Sequence, residues 1–210
     1  MRHPGVKICG VTRVQDARLA VDLGADLIGL NFWPRSPRFV PIELARPIVD
    51  AVRGRALTVG VWVNPTREKV VEIDEELSLD LHQFHGDEEP AACSWFPDRV
   101  IRAIRLAPDW DAISLDEYDR VWGFLFDCAP SDVHGGTGIS WSYERIANLE
   151  TSKPVLLAGG LGPENVAAAI ARSGADIVDV CSGVEAVPGT KDPDLLERFL
   201  REVRNVQTRD

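Results

Sequence analysis

The chain has 210 residues, of which 45% are hydrophobic and 27% are charged, and its formal net charge is −10. These values are typical of a soluble globular protein with a sizeable core, and the longest apolar runs are too short to cross a bilayer. The excess of acidic residues predicts that the protein repels nucleic acid and anionic membranes.

Cysteine usage favours a reducing compartment. Cys9, Cys93, Cys128 and Cys181 are widely spaced, without a C-x-x-C pair. This spacing argues against a disulfide framework and against a thiolate zinc site, so we expect a cytoplasmic protein with free thiols. No charged-then-apolar leader opens the chain, which favours the same location.

Short apolar runs alternate with helical stretches, at a period of roughly 26 residues if eight units share the length. Six predicted strands span 6–9, 27–32, 57–63, 81–84, 100–104 and 121–126, and two more lie within 153–185. Residues 106–119 contain Pro108 and many acids, which predicts a short or irregular fifth helix. Right-handed βαβ units of this number close most naturally into a single (β/α)8 barrel domain over residues 1–210. A doubly wound open sheet is the alternative.

The last two predicted strands each end in a small-residue loop. Gly159 and Gly160 follow one apolar run, and Ser182 and Gly183 follow the next. Backbone N–H groups of two such loops can converge on one phosphate, and in an eightfold barrel the loops after the seventh and eighth strands carry such a site. The alternative is that these glycines only make tight turns.

Two residues at strand ends have the chemistry of an acid–base pair. Because side chains alternate along a strand, Cys9 shares a face with Lys7 and is predicted at the C-terminal mouth of the barrel, where a thiolate acts as base or nucleophile. Asp127 ends the sixth strand, across the mouth, so both groups can flank one substrate. The alternatives are a structural thiol and an acid that caps a loop. Lys7 suits a Schiff base less well than an ion pair with an acid such as Asp179.

Two further pairs of polar residues stand near strand ends. Arg35 and Arg38 follow the second strand, and a guanidinium suits a carboxylate, although a loop arginine is usually a solvated surface charge. His82 and His85 are three residues apart in a predicted strand and therefore face opposite sides. This arrangement argues against a metal site.

Taken together, these features resemble those of the phosphoribosylanthranilate isomerase family of tryptophan biosynthesis, over nearly the whole chain. The motifs that carry the resemblance are 7–12, 29–40 with Ser36 and Arg38, 60–64, 83–86, Asp127, 135–138, 159–161 with 163–166, and 182–192. The glycine motifs are shared with other phosphate-binding barrels, whereas the first motif combined with Asp127 and the last motif is specific. The chain departs from the family pattern at His82, Phe84 and Cys181, where an apolar residue, a leucine and a serine are usual.

The resemblance implies that Cys9 is the general base, that Asp127 is the general acid, and that Arg38 holds the anthranilate carboxylate. It also implies substrate contacts from a set of strand-end and loop residues: Gln83, His85, Gly136, Gly138, Gly159, Gly160, Asp179, Ser182 and Gly183. The implied ligand is a phosphorylated small molecule, with no metal, cofactor, nucleic acid or membrane partner. The chain is expected to be a monomer or a homodimer.

The implied reaction is an Amadori rearrangement, an internal redox shift from an aminoaldose to an aminoketose in which only protons move. Two alternatives are a related phosphosugar isomerase and a phosphate-binding barrel without catalysis. Isomerases of the histidine pathway use paired aspartates at the first and fifth strand ends, and neither Cys9 nor the region 102–105 supplies them. The presence of both Cys9 and Asp127 argues against a non-catalytic barrel.

Overall fold

Parallel strands build the centre of the fold in the computed structural model, which describes residues 3–106, 115–128 and 138–206. Their bounds are β1 Gly5–Ile8, β2 Leu27–Asn31, β3 Leu57–Trp62, β4 Leu81–Phe84, β5 Val100–Arg105, β6 Gly123–Asp127, β7 Val155–Ala158 and β8 Ile177–Val180. The strands pair in chain order, and β1 closes the barrel by pairing with β8 as well as β2. The barrel prediction is therefore confirmed, and the open sheet is excluded.

Helices follow the strands and surround the barrel. The α-helices within the described ranges are α1 Val14–Asp22, α2 Ile42–Val52, α3 Arg67–Leu77, α4 Pro90–Cys93, α5 Gly138–Ala147, α6 Val166–Ser173 and α7 Pro193–Asn205. Between β5 and β6 the described residues form a 3-10 helix, Leu115–Tyr118, in agreement with the predicted short or irregular fifth helix, while 107–114 lie outside the described part. No helix in the described ranges is long and apolar enough to cross a membrane.

Alternation along the strands produces two apolar layers. Val6 and Ile8 of β1 face outward, where they join the large core between the barrel and its helices. The barrel interior holds a smaller cluster that includes Leu27, Val59 and Ile101. Lys7 is fully buried on the opposite face of β1 from Val6 and Ile8, as the alternation predicts. The barrel interior therefore combines this apolar cluster with the charged side chain of Lys7.

After β8 the chain forms an antiparallel hairpin of two short strands, β9 Glu185–Val187 and β10 Thr190–Lys191. The sequence patterns do not predict this hairpin. Its turn is fixed by the Thr12 hydroxyl, which donates to the Gly189 carbonyl over 2.6 Å. Its second strand is fixed by the backbone N–H of Lys191, which donates to the Asp16 carboxylate over 3.0 Å. These bonds hold the hairpin against the β1–α1 loop and the first turn of α1.

Candidate active site

Two thiols lie side by side at the mouth of the barrel. Ile8 of β1 is in register with Val180 of β8, and the N–H of Cys9 donates to the Val180 carbonyl over 2.9 Å. Cys9 and Cys181, the residues that follow these strands, are both free cysteines. The closure of the barrel thus brings together two thiols that are far apart in the chain.

The two thiols are expected to hold different protonation states. A hydrogen bond from Cys181 lowers the pKa of Cys9 well below its usual range, although burial of the sulfur acts in the opposite direction. The charges of Lys7 and Lys191 lower the pKa of Cys9 further. Because its thiol is the donor to Cys9, and because it is itself buried, Cys181 has a raised pKa. These opposite shifts favour a Cys9 thiolate beside a Cys181 thiol.

A buried ion pair lies beneath Cys9. The Lys7 ammonium donates to the Asp179 carboxylate over 2.9 Å, and both side chains are almost completely buried. Burial raises the pKa of Asp179 to about 6, against the effect of the Lys7 charge, so the acid is ionised at neutral pH. Burial tends to lower the pKa of Lys7, but the charges of Asp179 and Cys9 outweigh it and raise it. The predicted ion pair is confirmed, and a protonated Lys7 is a poor Schiff-base nucleophile.

Asp127 lies at the end of β6, within reach of a histidine. Its carboxylate is 3.3 Å from Nε2 of His85, whose Nδ1 is 2.9 Å from the amide nitrogen of Gln83. An amide nitrogen can only donate, so Nδ1 accepts and the imidazole proton is on Nε2, facing Asp127. Gln83 and His85, both predicted to contact substrate, therefore form a chain that ends at the proposed acid.

Arg38 is held by a buried carboxylate. Its guanidinium donates from Nε and Nη2 to Glu185 over 2.9 and 2.7 Å, while Arg35 in the same loop is exposed. Burial tends to raise the pKa of Glu185, but the hydrogen bonds from Arg38 and Lys191 outweigh it and lower it. A β-carbon at Gly10, where φ is +68°, would lie 2.5 Å from Cδ of Arg38. Glycine at this position therefore allows Arg38 to cross the end of β1, close to Cys9.

The loops after β7 and β8 are in contact. Gly159 and Gly160 have φ values of +96° and +64°, a region that favours glycine. A β-carbon at Gly183 would lie 1.9 Å from the carbonyl oxygen of Leu161, so only glycine permits this approach. Ser182 beside it is exposed. The two glycine loops therefore form one continuous surface.

Two other predicted substrate contacts lie in the segment after β6. Gly138 is the first residue of α5. Gly136 lies outside the described residues.

Sequence reasoning missed two residues with prominent contacts, Glu185 and Lys191. Both stand in the last family-like motif, but no role was inferred for them. The turn signal at Pro188 and Gly189 between them could have predicted the hairpin. Their partners on the first and second βα loops have no comparable sequence signal.

His82 and His85 lie on opposite sides of β4, as predicted. The His82 ring packs on Phe96 in the helix layer, with 4.3 Å between centroids, whereas His85 contacts Asp127 at the mouth. Within the described ranges no cluster of His, Cys, Asp and Glu is arranged to hold a metal ion.

The closed parallel barrel, with a thiolate and a carboxyl group at the C-terminal ends of its strands, has the architecture of a (β/α)8-barrel enzyme. A family model described as N-(5'phosphoribosyl)anthranilate (PRA) isomerase matches residues 6–202. The N-(5'-phosphoribosyl)anthranilate isomerase of Azotobacter vinelandii is 47% identical over 200 residues, which cover 95% of this chain and 97% of the relative.

Solved structures agree with this match. The phosphoribosyl anthranilate isomerase of Thermotoga maritima is similar with a TM-score of 0.85 and 34% identity, over 96% of this chain and 98% of that one. A phosphoribosyl anthranilate isomerase in complex with reduced 1-(o-carboxyphenylamino)-1-deoxyribulose 5-phosphate has a TM-score of 0.83 and 33% identity, with coverage of 96% and 98%. The chain belongs to the N-(5'-phosphoribosyl)anthranilate isomerase family, and it is an isomerase of tryptophan biosynthesis.

Proposed function

We propose that the barrel mouth converts N-(5'-phosphoribosyl)anthranilate into 1-(2-carboxyphenylamino)-1-deoxyribulose 5-phosphate, with Cys9 as general base and Asp127 as general acid. The observation that carries this assignment is the environment of Cys9. Its pKa is lowered by the Cys181 hydrogen bond and by two lysine charges, so the thiolate is available at neutral pH. Asp127, on a strand across the mouth, supplies the second group that the rearrangement needs.

The first step opens the ribose ring. Asp127, in its protonated form, donates a proton to the ring oxygen while the anomeric C–O bond breaks and the anthranilate nitrogen forms a Schiff base. The N–H of His85 faces one carboxyl oxygen of Asp127, which leaves the other oxygen to carry the transferable proton. His85 and Gln83 are thus proposed to orient the acid toward the substrate.

The second step moves a proton from carbon. The Cys9 thiolate removes the proton from the sugar carbon next to the Schiff base, and the electron pair of that C–H bond shifts toward nitrogen to give an enolamine. The enolamine then tautomerises to the aminoketose. Only protons and electron pairs within the substrate move, so the step balances without an external oxidant or reductant.

Binding energy is proposed to come from the two anionic ends of the substrate. Arg38 would hold the anthranilate carboxylate with the edge of the guanidinium that Glu185 does not occupy. The phosphate would bind at the loops after β6, β7 and β8, and the contact between Gly183 and Leu161 supports a shared surface for the last two. Contacts remote from the reacting carbon lower the barrier by fixing the sugar between acid and base.

The remaining features of the proposal concern the whole chain. We propose that residues 1–210 form one catalytic domain that acts in the cytoplasm as a monomer or a homodimer. Asp179 would act beneath the substrate through its ion pair with Lys7. The four free cysteines support a reducing compartment.

The proposed function is tested by direct turnover of N-(5'-phosphoribosyl)anthranilate, followed by the loss of anthranilate-type fluorescence. We expect rapid loss with the unmodified chain and almost none with the Cys9→Ser variant. Binding of inorganic phosphate without turnover would identify a non-catalytic barrel instead. Preferential turnover of the histidine-pathway aminoaldose would identify the related phosphosugar isomerase.

A further inference from the structure

Lys191, in the hairpin after β8, makes an unusual set of contacts. Its side chain is fully buried, and Nζ donates to the carbonyl oxygen of Cys9 over 2.6 Å and to that of Cys181 over 3.1 Å. A third contact of 2.9 Å joins Nζ to the carboxylate of Glu185. The three N–H donors of the ammonium therefore each have an acceptor. Two of these acceptors belong to the residues that carry the paired thiols.

A buried lysine is costly unless it is fully partnered, so its presence calls for a physical reason. Structural support for the hairpin alone does not require a charge, because the Thr12 bond already anchors its turn to the β1–α1 loop and the Asp16 bond anchors β10 to α1. The ammonium instead reaches past the hairpin to the ends of β1 and β8. Its position ties together the two backbone segments that hold the Cys9 sulfur against the Cys181 sulfur.

We propose that Lys191 is a positioning residue for the base Cys9, which it serves by clamping the ends of β1 and β8 and by placing a positive charge beside the thiolate. This inference rests on the proposed function, since it concerns how the proposed base is kept ready. Among the described residues its side chain bonds to the backbone carbonyls of Cys9 and Cys181 and to Glu185, so it acts through Cys9 and Cys181.

The clamp also connects the base to the proposed carboxylate site. Glu185 accepts hydrogen bonds from both Lys191 and Arg38. The Glu185 carboxylate therefore pairs with both Lys191, which contacts Cys9, and Arg38, which is proposed to bind the substrate carboxylate. Removing Lys191 still leaves Glu185 paired with Arg38, which limits the damage to the fold.

The charged and titratable groups around Cys9 must be considered together. In the described part of the chain, these groups are Lys7, Arg38, Asp179, Cys181, Glu185 and Lys191. Among the cations, Lys7 lowers the pKa of Cys9 more than Lys191 does, although Lys7 also pairs with Asp179. Lys191 shares Glu185 with Arg38 and adds a second, separate lowering of the Cys9 pKa.

The test measures the ionisation of Cys9 directly in the full chain. The rate of alkylation by iodoacetamide is followed from acid to alkaline pH, and the modified cysteine is identified by the mass of its peptide. Cys93 and Cys128 do not interfere, because burial raises their pKa values to about 11 and about 12. The variants are Lys191→Met and Lys191→Gln, with Lys153→Met, two residues before β7, as the matched control.

Both Lys191 variants should move the midpoint of Cys9 alkylation upward by up to about one pH unit, because a nearby positive charge lowers the pKa of an acid, and the charge of Lys191 is a smaller cause of the lowered Cys9 pKa than the Cys181 hydrogen bond. The Lys153→Met profile should coincide with that of the parent chain. The amide of Lys191→Gln can still donate to the strand-end carbonyls, so it carries the test if Lys191→Met does not fold. An unchanged midpoint in the folded variants overturns the proposal. Turnover by the parent chain is measured separately. An unchanged alkylation midpoint then contradicts the role of Lys191, whereas an absence of turnover contradicts the proposed function.

Discussion

The two halves of the barrel mouth are built in different ways. On the β1 and β8 side, Cys9 lies next to the charges of Lys7 and Lys191 and accepts a hydrogen bond from Cys181. On the β6 and β4 side, Asp127 contacts the ring of His85, and no lysine or arginine of the described residues forms an ion pair with it. Cations therefore surround the proposed base, whereas the proposed acid is paired with a histidine.

This difference teaches that one small mouth can place cations beside one of its groups without pairing them with the other. Positive charges lower the pKa of a neighbouring acid, so the two lysines favour the ionised form of Cys9. The barrel separates the two environments because β1 and β6 are not neighbours in the closed sheet. Each of the following experiments disturbs one half of the mouth and leaves the other half intact.

The largest effect is expected when the base is removed. Cys9→Ser should lower turnover by about 10²–10⁴-fold or more, because a serine hydroxyl is far too weakly acidic to replace the thiolate. Turnover is measured by fluorescence, and folding is checked by thermal melting. Cys93→Ala, which removes a buried thiol of the core between barrel and helices, should retain turnover. Near-normal activity of Cys9→Ser would remove Cys9 from the mechanism.

Removal of the acid should have an effect of similar order on turnover and a small effect on binding. Asp127→Asn keeps the shape and the contact with His85 but has no transferable proton, so we expect a loss of about 10²–10⁴-fold in turnover. Affinity for a nonreactive product analogue, measured by calorimetry, should change little. Asp98→Asn, at an exposed acid between α4 and β5, serves as the control. A loss of affinity without a loss of rate would assign Asp127 to binding.

An intermediate effect, on substrate binding, is expected when Arg38 is removed from the side of the mouth that holds Cys9. Arg38→Ala should raise the Michaelis constant about ten- to a hundredfold, since a charged hydrogen bond contributes roughly 1.5–3 kcal/mol. The effect on the maximal rate should be smaller, because Cys9 and Asp127 remain. Arg35→Ala is the matched control, because Arg35 is an exposed arginine of the same loop. If Arg35→Ala has the larger effect, the carboxylate site belongs to Arg35.

The smallest effect is expected for the neighbouring thiol. Cys181→Ala removes the hydrogen bond that lowers the Cys9 pKa, so that pKa should rise by about one unit. Because the proposed base is the Cys9 thiolate, we expect activity above the pKa of Cys9 and a loss of activity as the pH falls through it. The acidic limb of kcat/KM should therefore move to higher pH, with a smaller shift in Cys181→Ser, which keeps a donor. Identical limbs in all three proteins would contradict the role of this hydrogen bond.

Much of the fold follows from local patterns in the sequence. Alternation along β1 was sufficient to predict that Lys7 faces inward and that Val6 and Ile8 face the helices. Strand ends were less accurate, since Cys9 was predicted within β1 and Val121 within β6. The hairpin was missed because its strands have only three and two residues, too few for a period-two pattern to appear.

The candidate site was predicted as a set of residues but not as a set of contacts. His85, predicted as a substrate contact, lies between Gln83 and Asp127. Arg38, predicted as a binding residue, is paired with a carboxylate 147 positions away in the chain. A single sequence reports the types of side chain near strand ends, whereas barrel closure determines which of them meet.

The sequence by itself determined the order of strands and helices, because period-two and helical patterns are local and each unit signals its own structure. It also determined the chemistry available at the strand ends, including the thiol of Cys9 and the carboxyl of Asp127. Only the tertiary structure decided the protonation of Cys9, because that depends on Cys181 and Lys191, which barrel closure and the hairpin bring from the other end of the chain. The energy of a buried ionisable group is set by its neighbours in space, and these neighbours are not encoded in any short stretch of sequence.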